Sequence, residues 1–302
     1  MFETNTASCG GFKGISNSFG AALWATDYGF QMAYTNFSEA LLHVGGQNVF
    51  YNPFNSPPTA ETGYHQWTVG PVFYASMIIA EAFGKSGTSR ILDLAANNGN
   101  TNTPAYAIWQ NGVLSKLALF NYVTDPSDAA VSVVTFALGG GQTGQPAGTP
   151  ATVKVKYLLS DSTASRNITW ANQTFGLYFE SDGRLMGDLH IDTVTCNTDN
   201  TCAVKVPAPG FALVFITDDP DNLGSDKSQT YSTTAYTKTF NTATVDPSQL
   251  ANSNGHSGKD RTNLGSTSYG SRSGAIGLRD GTLRVFSVIV GCAVGWFALR
   301  GV

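Results

Sequence analysis

Between residues 88 and 217 one short pattern recurs seven times. Apolar runs rich in β-branched and aromatic residues occupy 90–95, 105–109, 114–123, 130–138, 152–159, 202–206 and 211–217, and turn residues separate them. Several runs, such as Thr152-Val-Lys-Val-Lys-Tyr-Leu-Leu, alternate in and out, the period of a strand with one face buried. Glycines between 139 and 148 mark a flexible loop. This spacing predicts an antiparallel β-sandwich over 88–217.

The residues before it follow a different period. Phe19, Ala22, Leu23, Phe30 and Ala33 recur at helical spacing, with Thr26 the one polar residue on the stripe. A helix is therefore predicted from about 16 to 34, with Ser16 as its N-cap. The short run Ala40-Leu-Leu-His-Val follows, then a loop to about 68 rich in Asn, Pro and Gly. A second helix runs from Val69 to Phe83 and ends at Gly84. Glu3 stands ahead of the first helix, where a strand would give way to a loop. With 302 residues the chain suffices for two domains, and the fold class is α+β, multi-domain.

Aromatics make up 12% and charged residues 13%, with 33 glycines, a profile that suits a secreted, β-rich, carbohydrate-handling protein. The net charge is −4 and no basic cluster occurs, which argues against nucleic acid as a partner. Cys196 and Cys202 flank five turn-forming residues, a spacing that suits a hairpin disulfide; a zinc site would need two more ligands nearby. No metal or other cofactor is expected. Asn36, Asn167 and Asn172 each begin an N-glycosylation sequon, in keeping with a secretory route. Met1-Phe2-Glu3 has neither the basic nor the apolar region of a signal peptide, so the chain is expected to lack its true N-terminal half.

From 218 to 284 Ser, Thr, Asn and Gly dominate, the composition of a disordered stalk. Residues 285–302 begin with a largely apolar stretch, and Ser273-Gly-Ala with a polar spacer stands upstream. That order fits a GPI-attachment signal with Ser273 as the modified residue; a single transmembrane helix is the other reading. Either tethers the C-terminus to a membrane and leaves the folded part extracellular, at the cell surface.

Three segments carry a resemblance: Glu3-Thr-Asn-Thr-Ala-Ser-Cys-Gly-Gly with Gly14-Ile-Ser-Asn-Ser-Phe-Gly-Ala-Ala-Leu-Trp, then His43-Val-Gly-Gly-Gln-Asn-Val-Phe-Tyr-Asn-Pro-Phe, then Trp67-Thr-Val-Gly-Pro-Val-Phe-Tyr. Together they resemble the nucleophile-bearing part of glycoside hydrolase family 79, which holds β-glucuronidases and heparanase. The resemblance implies that residues 1–85 are the C-terminal remnant of a (β/α)8 barrel, with 40–44 as strand eight, and that the family's C-terminal sandwich follows. It implies Glu3 as the nucleophile of a retaining glycosidase acting on a glucuronate-containing glycan. Tyr51 and His43 would contact substrate. Ser8 takes a position where several relatives carry a tyrosine, which puts one substrate contact in doubt. The acid/base glutamate lies before the nucleophile in this family and is absent from the sequence. Glu61 is the one other carboxylate expected near the catalytic face, with Glu39 and Glu81 farther off. Trp24 and Trp67 suit sugar stacking or the core. Without the rest of a barrel, the two helices are expected to lack a covering sheet and to pack poorly. The alternative is a non-catalytic surface sandwich that binds glycans.

Overall fold

The computed structural model describes residues 3–46, 49–55, 68–127, 130–176 and 184–217. Each of the seven apolar runs contains a strand. In chain order the elements are helix α1 (Phe19–Tyr34), strands β1 (Phe54–Asn55) and β2 (Thr68–Val69), helix α2 (Pro71–Phe83), then β3 (Arg90–Asp93), β4 (Ala105–Gln110), β5 (Val113–Asn121) and β6 (Ser132–Ala137). β7 (Thr152–Leu159), β8 (Thr169–Trp170), β9 (Asp192–Thr195), β10 (Thr201–Val206) and β11 (Gly210–Phe215) complete the series. Among the described residues, seven strands form one antiparallel sheet in the order β3-β4-β5-β11-β7-β8, with β9 also on β7. β6 and β10 form a separate antiparallel ribbon.

Strand alternation divides the core. On β11, Ala212 and Val214 face the ribbon and pack with Leu117, Leu119, Val155, Val204 and Val206. Two β-layers with a shared apolar interior make this a sandwich. On the opposite face Phe211, Leu213 and Phe215 meet Tyr106, Ile108 and Phe120, and this face is covered by helices rather than strands. Phe19, Leu23 and Phe30 of α1 and Tyr74 and Ile78 of α2 belong to the same cluster. The expectation that the helices lack a sheet is therefore corrected: the outer face of the sandwich supplies one.

Specific polar contacts fix the helical layer. α1 and α2 approach closely at Gly29, where a Cβ would lie 2.3 Å from Ile79 Cδ1. Tyr74 is buried; its hydroxyl donates to the Ile168 carbonyl at 3.1 Å and accepts the Phe175 N–H at 2.8 Å. Lys156, inside β7, forms a 2.6 Å ion pair with Glu81 of α2, the two side chains only 6% and 13% exposed. The Trp170 indole N–H donates to the other Glu81 oxygen at 3.1 Å. Glu81 is thus a structural clamp.

Two local expectations shift. The first helix starts at Phe19, so Ser18 and not Ser16 is its N-cap, and Ser18 makes no side-chain cap bond. Instead the Phe19 and Gly20 N–H groups donate to the Ser165 and Thr163 carbonyls, each at 2.8 Å, so the β7–β8 loop satisfies the helix start. Ser16 is buried, with its hydroxyl accepting the Phe12 N–H at 2.9 Å. The run at 40–44 gives one parallel bridge, Thr4 to Leu42, rather than a strand. Among the described residues that bridge has no further strand beside it, and one parallel pair leaves too few ladder bonds for more.

Candidate active site

The bridge puts Glu3 beside the 40–44 run. The Thr4 N–H donates to the Leu41 carbonyl at 3.1 Å, and the His43 N–H donates to the Thr4 carbonyl at 2.8 Å. Glu3 lies one residue upstream of the bridge and is exposed. Asn5, one residue downstream, donates through Nδ2 to the His43 carbonyl at 2.8 Å.

His43 in turn meets Tyr51. The imidazole Nδ1 and the phenol oxygen are 2.6 Å apart, with the rings edge-to-face at 5.7 Å. Tyr51 is 3% exposed and His43 is exposed, so the pair presents an imidazole at the surface and a phenol beneath it. When Nδ1 carries its proton it donates to the phenol oxygen, and the phenol O–H is left to donate to an anion. The surrounding loops are closely laid. At Gly11, with φ +77, a Cβ would sit 2.5 Å from Ser16 Oγ and 3.1 Å from the Tyr51 ring. Asn52 exchanges two 3.0 Å bonds with Gly45, accepting its N–H and donating to its carbonyl. The Phe50 N–H donates to the Gly10 carbonyl at 2.7 Å. The last bond joins the 8–11 turn to the loop that carries Tyr51, and the Asn52 pair closes that loop on itself.

Ser8 is exposed in that turn, and its carbonyl accepts the Gly11 N–H at 3.1 Å. Glu39 is exposed, and Glu61 and Trp67 lie outside the described residues. Trp24 is half-buried and stacks on Tyr28 with centroids 5.1 Å apart. With Thr6, Ile15, Ser18, Thr163 and Ala164 it lines a pocket of about 530 Å³. An apolar groove of about 450 Å³ lies between the helices and residues 37–42. A disulfide joins Cys196 to Cys202 between β9 and β10, and Cys9 is a free, exposed thiol. Asn36, Asn167 and Asn172 are all exposed. Ser273 and residues 218–302 lie outside the described residues, as do 177–183. No helix among the described residues is long and apolar enough to cross a membrane.

A second polar cluster was not foreseen. The Tyr106 O–H donates to Asp27 at 2.5 Å, and the Gln31 amide donates to Asp93 at 2.7 Å and to the Tyr106 oxygen at 2.8 Å. Burial holds the Asp27 carboxyl above its ordinary range, against the lowering effect of bonds from Tyr106 and Tyr122. Burial, and then Asp27 itself, push both phenols upward. Tyr157 on the other face is pushed up to about 12 by burial and by Asp192. The available signal was Asp27 and Gln31, one helical turn apart on α1. This cluster fastens α1 to the sheet. Asn5 carried no signal of its own.

The features above define an antiparallel β-sandwich whose outer face is packed against the helices of a preceding segment bearing a carboxylate, an imidazole and a phenol. Residues 105–213 match the glycosyl hydrolase family 79 C-terminal beta domain. A beta-glucuronidase of Aspergillus niger is 27% identical over 230 residues, covering 71% of this chain and 40% of that protein. The crystal structure of a 4-O-alpha-L-rhamnosyl-beta-D-glucuronidase from Fusarium oxysporum, in complex with Rha-GlcA, is also similar. It shares 25% identity with a TM-score of 0.56, over 71% of this chain and 42% of that one. The chain thus spans about two-fifths of the length of these relatives.

Proposed function

We propose that this chain supplies the nucleophile side of a retaining β-glucuronidase, with Glu3 attacking the anomeric carbon. The observation that carries this reading is the parallel Thr4–Leu42 bridge, with α1 connecting its two halves and the His43–Tyr51 pair beside it. Strand, helix and parallel strand are the repeat of a (β/α)8 barrel, and strand ends are where such barrels place catalytic groups. Five apolar residues of this segment, Phe12, Ile15, Phe37, Leu41 and Val44, are 47–63% exposed, which accords with further barrel strands lying against it. On this reading residues 1–85 belong to a barrel, 88–217 are the sandwich, 218–284 a stalk and 285–302 an anchor signal.

The chemistry follows from two carboxyl groups about 5–5.5 Å apart. Glu3 forms a glycosyl ester as the leaving group departs, and the second carboxyl first gives a proton to the leaving oxygen and then takes one from water. Glu81 is committed to Lys156 and Trp170 and is not that second carboxyl. The resemblance assigns that role to a glutamate ahead of the nucleophile, and on this reading these 302 residues do not turn over by themselves. The Tyr51 hydroxyl holds the uronate carboxylate, and His43 orients that hydroxyl.

The names of the two relatives support a glucuronide as substrate. Exposure of Asn36, Asn167 and Asn172 accords with a glycosylated, extracellular protein, and release by a phosphatidylinositol-specific phospholipase would test the anchor at Ser273. The catalytic reading is tested in the protein completed with its barrel strands. A 2-fluoro glucuronosyl fluoride should label the peptide that carries Glu3, and Glu3→Gln should lower aryl β-glucuronide turnover by at least about 10⁴-fold. Label on another carboxylate, or retained turnover, overturns it.

A further inference from the structure

The pocket at Trp24 has no part in the mechanism just given. It is built by two layers. Thr6, Ile15, Ser18 and Trp24 come from the segment that follows Glu3, and Thr163 and Ala164 come from the β7–β8 loop of the sandwich. The far wall is pinned, because the Thr163 and Ser165 carbonyls accept the first N–H groups of α1. Those bonds occupy the helix start, so the pocket offers it to no anion.

Three features describe what would fill it. The Trp24 indole, held by its stack on Tyr28, offers an aromatic wall to the C–H face of a ring. The Thr6 hydroxyl is buried and has no hydrogen-bond partner among the described residues, so it lacks the partner that buried polar groups normally have. None of the described residues lining the pocket is charged, so a carboxylate placed there would lose its hydration without gaining a counter-ion from them. An apolar wall with a few polar groups and no charge suits an uncharged sugar.

We infer that the Trp24 pocket is a subsite for an uncharged hexose or deoxyhexose linked to the glucuronate. This deepens the proposed function and rests on it, because the uronate is assigned to His43 and Tyr51. Asn5 and Thr6 are the divide: Asn5 binds the His43 carbonyl, and Thr6 lines the neutral pocket. The sandwich is thereby a part of substrate recognition.

The test is a titration of the full chain, followed by the indole N–H resonance of Trp24, which is identified by its loss in Trp24→Phe. Methyl β-D-galactoside, D-glucose and L-rhamnose are the neutral probes, and sodium D-glucuronate is the charged control. At least one neutral sugar should shift the resonance saturably, with glucuronate at least about tenfold weaker. Thr6→Val should weaken the response by about two- to tenfold, the range for one neutral hydrogen bond. Ala164→Trp, on an exposed position, should abolish it without unfolding the chain. Absence of any shift up to the solubility limit, an equal response to glucuronate, or indifference to both variants overturns the inference. Glu3→Gln should leave the shift intact. Sugar binding without hydrolysis in the completed enzyme would therefore fail the catalytic reading alone, and hydrolysis without sugar binding would fail this one alone.

Discussion

The two faces of the large sheet solve the same burial problem with different materials. Toward the ribbon, β11 presents Ala212 and Val214 to other small aliphatic side chains. Toward the helices it presents Phe211, Leu213 and Phe215, and the ring contacts there include Phe120–Phe211 at 4.6 Å. Strands of two sheets stack at a nearly constant distance, which small β-branched residues fill. Helices on a twisted sheet leave a wider and less even gap, and aromatic rings fill it. The helical face also holds the buried ion pair and the Asp27 cluster. That face therefore has specific partners as well as volume, and it is the face that sets the position of the Glu3 segment.

Four measurements press on this contrast. Phe211→Ala should destabilise by about 3–5 kcal/mol in urea unfolding, from lost burial and the cavity left behind. Glu81→Ala follows, at about 3 kcal/mol, since it strands Lys156 in a site 6% exposed and removes the acceptor of the Trp170 indole. Val214→Ala, on the same strand as Phe211 but facing the ribbon, should cost about 2 kcal/mol. Equal losses for Phe211→Ala and Val214→Ala would erase the distinction between the faces.

The smallest effect is one of pH. Because burial raises the Asp27 carboxyl, the folded chain holds that proton more tightly than the unfolded chain does. The contribution of this group is fully present below the ordinary carboxylate range and is lost as pH rises through the elevated value. Asn at position 27 keeps an acceptor for Tyr106 and does not titrate. Asp27→Asn should therefore flatten stability against pH across that window, by at most about 1.4 kcal/mol per unit, the slope for one proton. An unchanged slope in paired denaturation series would remove Asp27 from this role.

Much of the sandwich was legible because a strand with a buried face carries its evidence within a few residues: Thr152–Leu159 announces its own period. Both helices were legible for the same reason, to within three residues at their starts. What the helices pack against was not. Their apolar stripes fit any sheet, and the one they meet here is the outer face of the sandwich. The first helix start was misplaced because its N–H groups find acceptors at Thr163 and Ser165, far along the chain. In the candidate site, Glu3, His43 and Tyr51 were singled out from the resemblance. Asn5, which ties the three segments together, is an ordinary loop asparagine until the 40–44 run is folded beside it.

The same loop bonds at the start of α1 carry a consequence for how such chains can diverge. A helix capped by carbonyls from another layer is indifferent to which side chains the donor loop carries, but not to its path. Substitutions at exposed positions such as Asp161 and Ala164 should be absorbed readily, whereas one inserted residue would move both acceptors and release the helix that follows Glu3. The length of that loop is therefore a trait the two halves of the molecule inherit together.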